Sequence, residues 1–244
     1  MKPAFNAPLP YRALRWLAWL LIRLLTRTEV SGVEHVPLTG PLVVAPNHLF
    51  ILDPVFMLAV LPRRMTVFAA DKWRGTLGGW LMSTFGNAIY VARGEPDRQA
   101  LGRAARILEA GGGLGVAPEG TRSRVRSLLP GKNGTVYLAS RTGAVILPVA
   151  IWGQETALRD WLHLRRPRVH VRIAPAMELP PAAKQARTAD LQEYTDELML
   201  TIARMLPPAY RGVYAERAGL QESGDGGAEG RGQASGVRGA VKGV

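Results

Sequence analysis

A chain of 244 residues, 47% of them hydrophobic, is long enough for one α/β domain with a large core and too apolar to be disordered throughout. Its formal net charge of +12 calls for an anionic partner: nucleic acid, anionic lipid or a phosphorylated substrate. The absence of cysteine excludes a disulfide framework, a thiolate zinc site and a cysteine nucleophile, and His35, His48, His163 and His170 show no metal-ligand spacing.

From Ala13 to Leu25 the chain is almost wholly apolar, but Arg15 and Arg23 interrupt it. The unbroken stretch, Trp16 to Ile22, falls short of the ~20 residues a spanning helix requires. With no small-residue cleavage site after it, the segment does not read as a secretory signal. Wound at about 100° per residue, it places Arg12, Arg15, Arg23 and Arg27 on one face with Trp16 and Trp19. Leu14, Leu17, Leu21, Leu24 and Leu25 take the other. Such an amphipathic helix, assigned to residues 1–30, either lies in a membrane interface with arginines at anionic headgroups or docks on the protein's own core.

Beyond it, apolar and β-branched stretches predict buried strands at Leu42–Ala45, Thr66–Ala69, Ala88–Ala92, Leu114–Ala117, Val145–Ile151 and Val169–Ile173. Helical patterns fall between and after them. Pro54–Leu61 has Asp53 as N-cap and Pro54 at its first position. Arg98–Ala110 carries Leu101, Ala105 and Leu108 at helical spacing and stops at Gly111-Gly112-Gly113. Thr135–Arg141 is stopped by Gly143, and Thr188–Leu206 by Pro207-Pro208. Alternation of strands and helices predicts a single layered α/β domain over residues 31–218, a mixed, mostly parallel sheet with helices on both faces. Residues 219–244 are glycine-rich and poor in large apolar groups, and read as a disordered tail.

Two runs carry chemistry. In Asn47-His48-Leu49-Phe50-Ile51-Leu52-Asp53-Pro54, a histidine and an aspartate stand five positions apart after a strand. On one continuous helix they would diverge by about 140°, but a helix that begins at Pro54 lets the loop fold back and bring them together. A carboxylate on one imidazole nitrogen fixes the tautomer and stabilises the cation, leaving the other nitrogen to take a proton. No G-x-S-x-G nucleophile turn accompanies the pair, so the simplest completion is a hydroxyl supplied by the substrate. The alternative is a capping Asp53 beside a core histidine. The second run, Pro118-Glu119-Gly120-Thr121-Arg122-Ser123-Arg124, also follows a strand, at the edge where α/β sheets bind ligands. Its guanidinium suits a phosphate, with Glu119 holding Arg122 or bonding a substrate hydroxyl, and Lys132 adds charge. The alternative here is a solvated basic loop. Lys72 and Arg74 are further candidates for an anionic ligand. Nucleic acid is disfavoured because neither a reading helix nor an aromatic RNA-binding motif is present.

With both runs in place, the chain resembles the glycerolipid acyltransferase family that includes 1-acylglycerol-3-phosphate acyltransferases. Asn47, His48 and Asp53 match its N-H-x-x-x-x-D motif, and Pro118 to Ser123 match P-E-G-T-R-S. Gly86 to Arg93 looks like its glycine–strand–arginine block, and Val145 to Ile151 like its proline-bearing strand. The resemblance implies acyl transfer from acyl-CoA or acyl carrier protein, as co-substrate and without a cofactor or metal, to the free hydroxyl of lysophosphatidic acid, giving phosphatidic acid. The alternative acceptors are glycerol 3-phosphate or a different lysolipid. It further implies His48 as base, Asp53 as its partner, and Arg93, Glu119, Gly120, Thr121, Arg122 and Lys132 as the acceptor-binding set. The expected setting is the anionic cytoplasmic face of the cell membrane, with peripheral or monotopic attachment. Two departures bear on acceptor choice and acyl fit: Ala117 replaces the usual phenylalanine, and Gly131, Lys132 and Asn133 replace a phenylalanine and paired lysines.

Overall fold

The structure, a computed structural model, describes residues 9–91 and 97–219. In chain order its elements are α1 (Leu9–Leu25), β1 (Arg27–Ser31), β2 (Leu42–Pro46), α2 (Asp53–Val60), β3 (Thr66–Ala70), α3 (Leu77–Gly86), β4 (Ile89–Val91), α4 (Arg98–Glu109), β5 (Gly113–Gly115), α5 (Gly134–Thr142), β6 (Val145–Trp152), α6 (Ala157–Leu162), β7 (Arg168–Ile173) and α7 (Thr188–Met205). The strands form one sheet in the order β1-β7-β6-β2-β5-β3-β4. Among the described residues only β6 and β7 pair antiparallel as neighbouring strands; the other neighbours are parallel. The α/β class and the mixed, mostly parallel sheet are as the alternation of apolar strands and helices predicts.

Period-two alternation along the central strands divides the core. Val43 and Ala45 of β2, with Ile146 and Ala150 of β6, face a cluster closed by Ala104 and Leu108 of α4, Val136 and Leu138 of α5, and Leu198 and Ile202 of α7. Leu42 and Val44, with Leu147, Val149 and Ile151, face the opposite cluster, closed by Ala18 and Ile22 of α1 and Phe56 and Met57 of α2. Helices thus cover both faces, which is why these strands read as continuous apolar runs.

Three elements lack a sequence signal. The β1 strand, Arg-Thr-Glu-Val-Ser, is an edge strand with little burial, so no apolar pattern marks it. Because it pairs along its length with β7, the boundary expected at residue 31 falls inside a sheet strand. The α3 helix opens Leu77-Gly78-Gly79, a poor helical start that works here because Thr76 Oγ1 accepts from Gly79 N at 3.0 Å. Gly79 is also required sterically, since a Cβ there would lie 1.9 Å from the Trp73 carbonyl oxygen. The α6 helix is only six residues long. In addition, β5 is shorter than the predicted Leu114–Ala117, although Val116 N still donates to Val44 O at 2.9 Å.

The α1 helix docks, but not with the faces its sequence suggests. Tyr11, Arg15, Ala18 and Ile22 are buried, a stripe between the arginine sector and the leucine sector. Arg15 is therefore not at the exposed arginine face, and Arg27 lies beyond the helix in β1. Trp16, Leu17, Leu21, Leu24 and Leu25 remain exposed, and Arg23 stacks over Trp19 at 5.1 Å. Among the described residues no helix is long and apolar enough to cross a membrane. The tail from residue 220 lies outside the described residues.

Candidate active site

Three parallel neighbours, β6, β2 and β5, end at the same edge of the sheet, and each is followed by a segment that builds the site. The first is Asn47-His48 after β2. Asn47 is buried and uses its amide as an extra rung of the β2–β6 ladder: Nδ2 donates to Ile151 O at 2.9 Å, and Oδ1 accepts from Ile151 N at 2.7 Å. This fixes where the chain turns, and His48 follows immediately.

The loop does fold back. His48 Nδ1 lies 2.7 Å from Asp53 Oδ2, and the two side chains are 30% and 3% exposed, so the carboxylate is buried and the imidazole opens to solvent. Asp53 Oδ2 also accepts from Leu49 N and Phe50 N, both at 2.9 Å. Asp53 is the first residue of α2, and its side chain bonds to N–H groups before the helix rather than capping it. The expected N-cap role is thus corrected: the carboxylate gathers its own loop around the histidine.

The third segment supplies a residue that the sequence gives no reason to select. Gln154, fully buried after β6, donates from Nε2 to Asp53 Oδ1 at 2.9 Å, while its Oε1 has no partner among the described residues. The turn that aims it is pinned. Gly153 has φ 89°, and a Cβ would lie 2.0 Å from Arg168 O, so only glycine fits. Glu155 accepts from Gly153 N at 2.8 Å and from Tyr210 Oη at 2.7 Å. Burial and that carboxylate push the Tyr210 phenol up to about 12. A glutamine just past a proline-bearing strand has no motif value by itself; only the fold reveals its contact with Asp53.

The run from Pro118 to Ser123, in the loop after β5, divides into two kinds of residue. Glu119 is buried; Oε1 accepts from His48 N at 3.0 Å and Oε2 from Leu129 N at 2.9 Å. Ser123 N donates to His48 O at 2.8 Å, and its hydroxyl donates to Ser127 O at 2.7 Å. The two backbone groups of His48 are therefore held by the second run. Glu119 is a brace and does not hold Arg122, because both its oxygens are already committed to backbone donors.

Thr121 and Arg122 are exposed, and no hydrogen bond or ion pair engages Arg122 among the described residues. Gly120, at φ 66°, makes the turn, donating to Ala117 O at 3.0 Å. The Lys132 side chain runs beside it, close enough that a Cβ on Gly120 would lie 2.9 Å from Lys132 Cδ. Arg93 lies outside the described residues. Lys72 and Arg74 are engaged locally: Lys72 lies over Trp73, and Arg74 pairs with Asp71 at 2.8 Å and covers Tyr90.

Burial raises the Glu119 pKa, and the N–H groups of Leu129 and His48 oppose the rise. We expect Glu119→Gln to cost about 1–3 kcal/mol, because an amide cannot accept two backbone donors with both its heavy atoms. A carboxyl with a raised folded-state pKa contributes stability that is lost as pH rises through that pKa. The wild-type advantage over Glu119→Gln is therefore largest in acid and narrows as pH rises. Denaturant melts across a pH series check both the cost and the sign.

Comparison with known proteins gives a consistent result. The sequence pattern of the acyltransferase family matches residues 27–152. A mouse protein, 1-acyl-sn-glycerol-3-phosphate acyltransferase alpha, is 32% identical over 189 residues, 73% of this chain and 64% of the relative. The human protein of that name is 29% identical over 195 residues, covering 76% and 67%. A 1-acyl-sn-glycerol-3-phosphate acyltransferase of Borreliella burgdorferi is 23% identical over 199 residues, covering 78% and 71%. The chain thus spans about two thirds of its mammalian relatives' length. Among solved structures, the crystal structure of the 1-acyl-sn-glycerophosphate (LPA) acyltransferase PlsC from Thermotoga maritima shares the fold, with a TM-score of 0.62, 22% identity, and 80% of this chain and 81% of that one covered.

Proposed function

The chain belongs to the acyltransferase family, and on that premise we propose that it transfers a fatty acyl group from a thioester to the free hydroxyl of a 1-acylglycerol 3-phosphate, forming phosphatidic acid. The observation that carries this reading is the 2.7 Å His48–Asp53 contact, with a buried carboxylate behind a partly exposed imidazole. Nε2 takes the proton as the acceptor oxygen attacks the thioester carbonyl. When the tetrahedral intermediate collapses, the carbon–sulfur bond breaks and the imidazolium returns the proton to the leaving thiolate. Asp53 supports the transient cation, and Gln154 keeps Asp53 oriented. No protein nucleophile, metal or cofactor enters this scheme; the donor, acyl-CoA or acyl carrier protein, is a co-substrate.

The acceptor phosphate is assigned to Arg122 and Lys132 beside the Gly120 turn, with Arg93 as a further cation. Arg122 is exposed and unengaged among the described residues, as a side chain awaiting an anion would be. We expect Arg122→Ala to raise KM for the acceptor roughly 10- to 100-fold, the weight of a charge-assisted contact, with little change in kcat or thermal stability. The deciding assay offers phosphorylated and unphosphorylated acceptors, glycerol 3-phosphate and other lysolipids included, with each thioester in turn. A strict preference for an unphosphorylated acceptor would overturn the substrate assignment. Attachment is read as peripheral, through the exposed leucine face of α1, at the anionic cytoplasmic surface of the membrane.

A further inference from the structure

We propose that the tip formed by α6 and the turn before β7 is a second bilayer contact, separate from α1, that seats the active-site edge on an anionic membrane. It rests on the membrane attachment proposed above and adds a surface to it. Leu162 and Leu164 are 84% and 97% exposed, and Leu158 on the same helix is exposed as well. Leu158 and Leu162, four positions apart, share a face of α6, and Leu164 follows in the turn, so three solvent-facing leucines fall within seven residues.

The tip is a closed turn rather than a loose loop. His163 N and Arg165 N both donate to Asp160 O, at 3.1 and 2.8 Å, and Leu164 N donates to Trp161 O at 3.0 Å. Leu164, at φ 53°, is the left-handed residue of a Schellman stop to α6, a position that glycine or asparagine most often takes. The helix stop leaves this leucine facing outward, 97% exposed.

Charge identifies the occupant. Residues 158–172 contain five arginines and one acid, Asp160. Arg159, Arg165 and Arg168 are exposed, and the Asp160 carboxylate is bonded to Thr156 Oγ1 at 2.6 Å and lies 3.8 Å from Arg159. Leucines rimmed by arginines match an acyl region beneath anionic headgroups. The tip is braced against the end of α1: Trp161 Nε1 donates to Leu25 O at 2.8 Å, and the Arg166 guanidinium donates to the carbonyls of Arg23 and Thr26. Leu24 and Leu25 of α1 are exposed beside this junction. Gln154, bonded to Asp53, lies three residues before α6 begins, so the tip is carried on the segment that leaves the active-site edge of the sheet after β6.

The test is flotation of the full chain with phosphatidylcholine vesicles, with and without phosphatidylglycerol. The variants are Leu158→Ser/Leu162→Ser/Leu164→Ser in the tip and Leu17→Ser/Leu21→Ser/Leu24→Ser in α1. We expect the wild type to float with anionic vesicles and to do so less at high salt. The tip variant should lose roughly 100-fold in partitioning at unchanged Tm, since its substituted side chains face solvent. Its turnover of a dispersed short-chain acceptor should be unchanged. Wild-type flotation of the tip variant, with loss in the α1 variant, overturns this inference and leaves membrane attachment standing. A wild type that binds neither vesicle overturns the attachment itself. Conversion of a dimer to a monomer in the tip variant, with flotation intact, overturns it in favour of a protein interface.

Discussion

His48→Ala is expected to lower kcat roughly 10³-fold, within the 10²- to 10⁴-fold range for loss of a positioned general base, with KM for either substrate little changed. The fold should survive. The imidazole is the exposed partner of its pair, and the backbone groups that place it, bonded to Glu119 and Ser123, persist in alanine. Single-turnover measurements should show the loss in the chemical step, with Tm close to that of wild type. Near-wild-type turnover by the alanine protein would eliminate the general-base mechanism, whatever the substrate. A rise in acceptor KM at constant kcat would instead make His48 a binding group.

The second large effect is expected at Asp53. Asp53→Asn should reduce kcat by roughly 10²- to 10³-fold, because a neutral amide can hold the imidazole but cannot stabilise its cation. The cost to stability should be smaller, about 1–2 kcal/mol. The asparagine oxygen can keep the donors now on Oδ2, namely His48 Nδ1, Leu49 N and Phe50 N, while its NH2 group faces Gln154. Gln154 can meet that group by turning its amide over, since its Oε1 has no bond to lose among the described residues. Asp53→Ala has no such remedy. It leaves buried backbone donors and the Gln154 amide without an acceptor, so its stability loss should exceed that of asparagine by several kcal/mol. Comparing the two variants by denaturant melts and by kcat separates the electrostatic role of the carboxylate from its role as a hub of the loop.

Much of the site was legible because the relevant groups are close in sequence. His48 and Asp53 flank a short loop between a strand and a proline-started helix, and local geometry suffices to bring them together. The roles within the second run were not legible. Glu119 and Arg122 stand three positions apart and look like an ion pair on paper. The fold instead buries the acid against the backbone of His48 and Leu129 and leaves the arginine outside. Burial depends on which strand lies next door, and the β6-β2-β5 adjacency joins segments far apart in the chain. Gln154 was invisible for the same reason. In α1 the helix was evident, but its docked stripe was not: the helical wheel separates arginines from leucines, while the fold buries the narrow boundary of Tyr11, Arg15, Ala18 and Ile22, with Ala18 and Ile22 packed in the cluster of Phe56 and Met57.

The sequence by itself determined the α/β class, the central strands, the amphipathic first helix and the histidine–aspartate pair, because periodicity and short-range spacing are local properties of a chain. Tertiary structure alone decided that the second run anchors His48 through its backbone, that Gln154 completes the environment of Asp53, and that β1 joins the sheet by pairing with β7. Each of these depends on desolvation or on a hydrogen bond between distant segments, and neither exists until the sheet has brought those segments together.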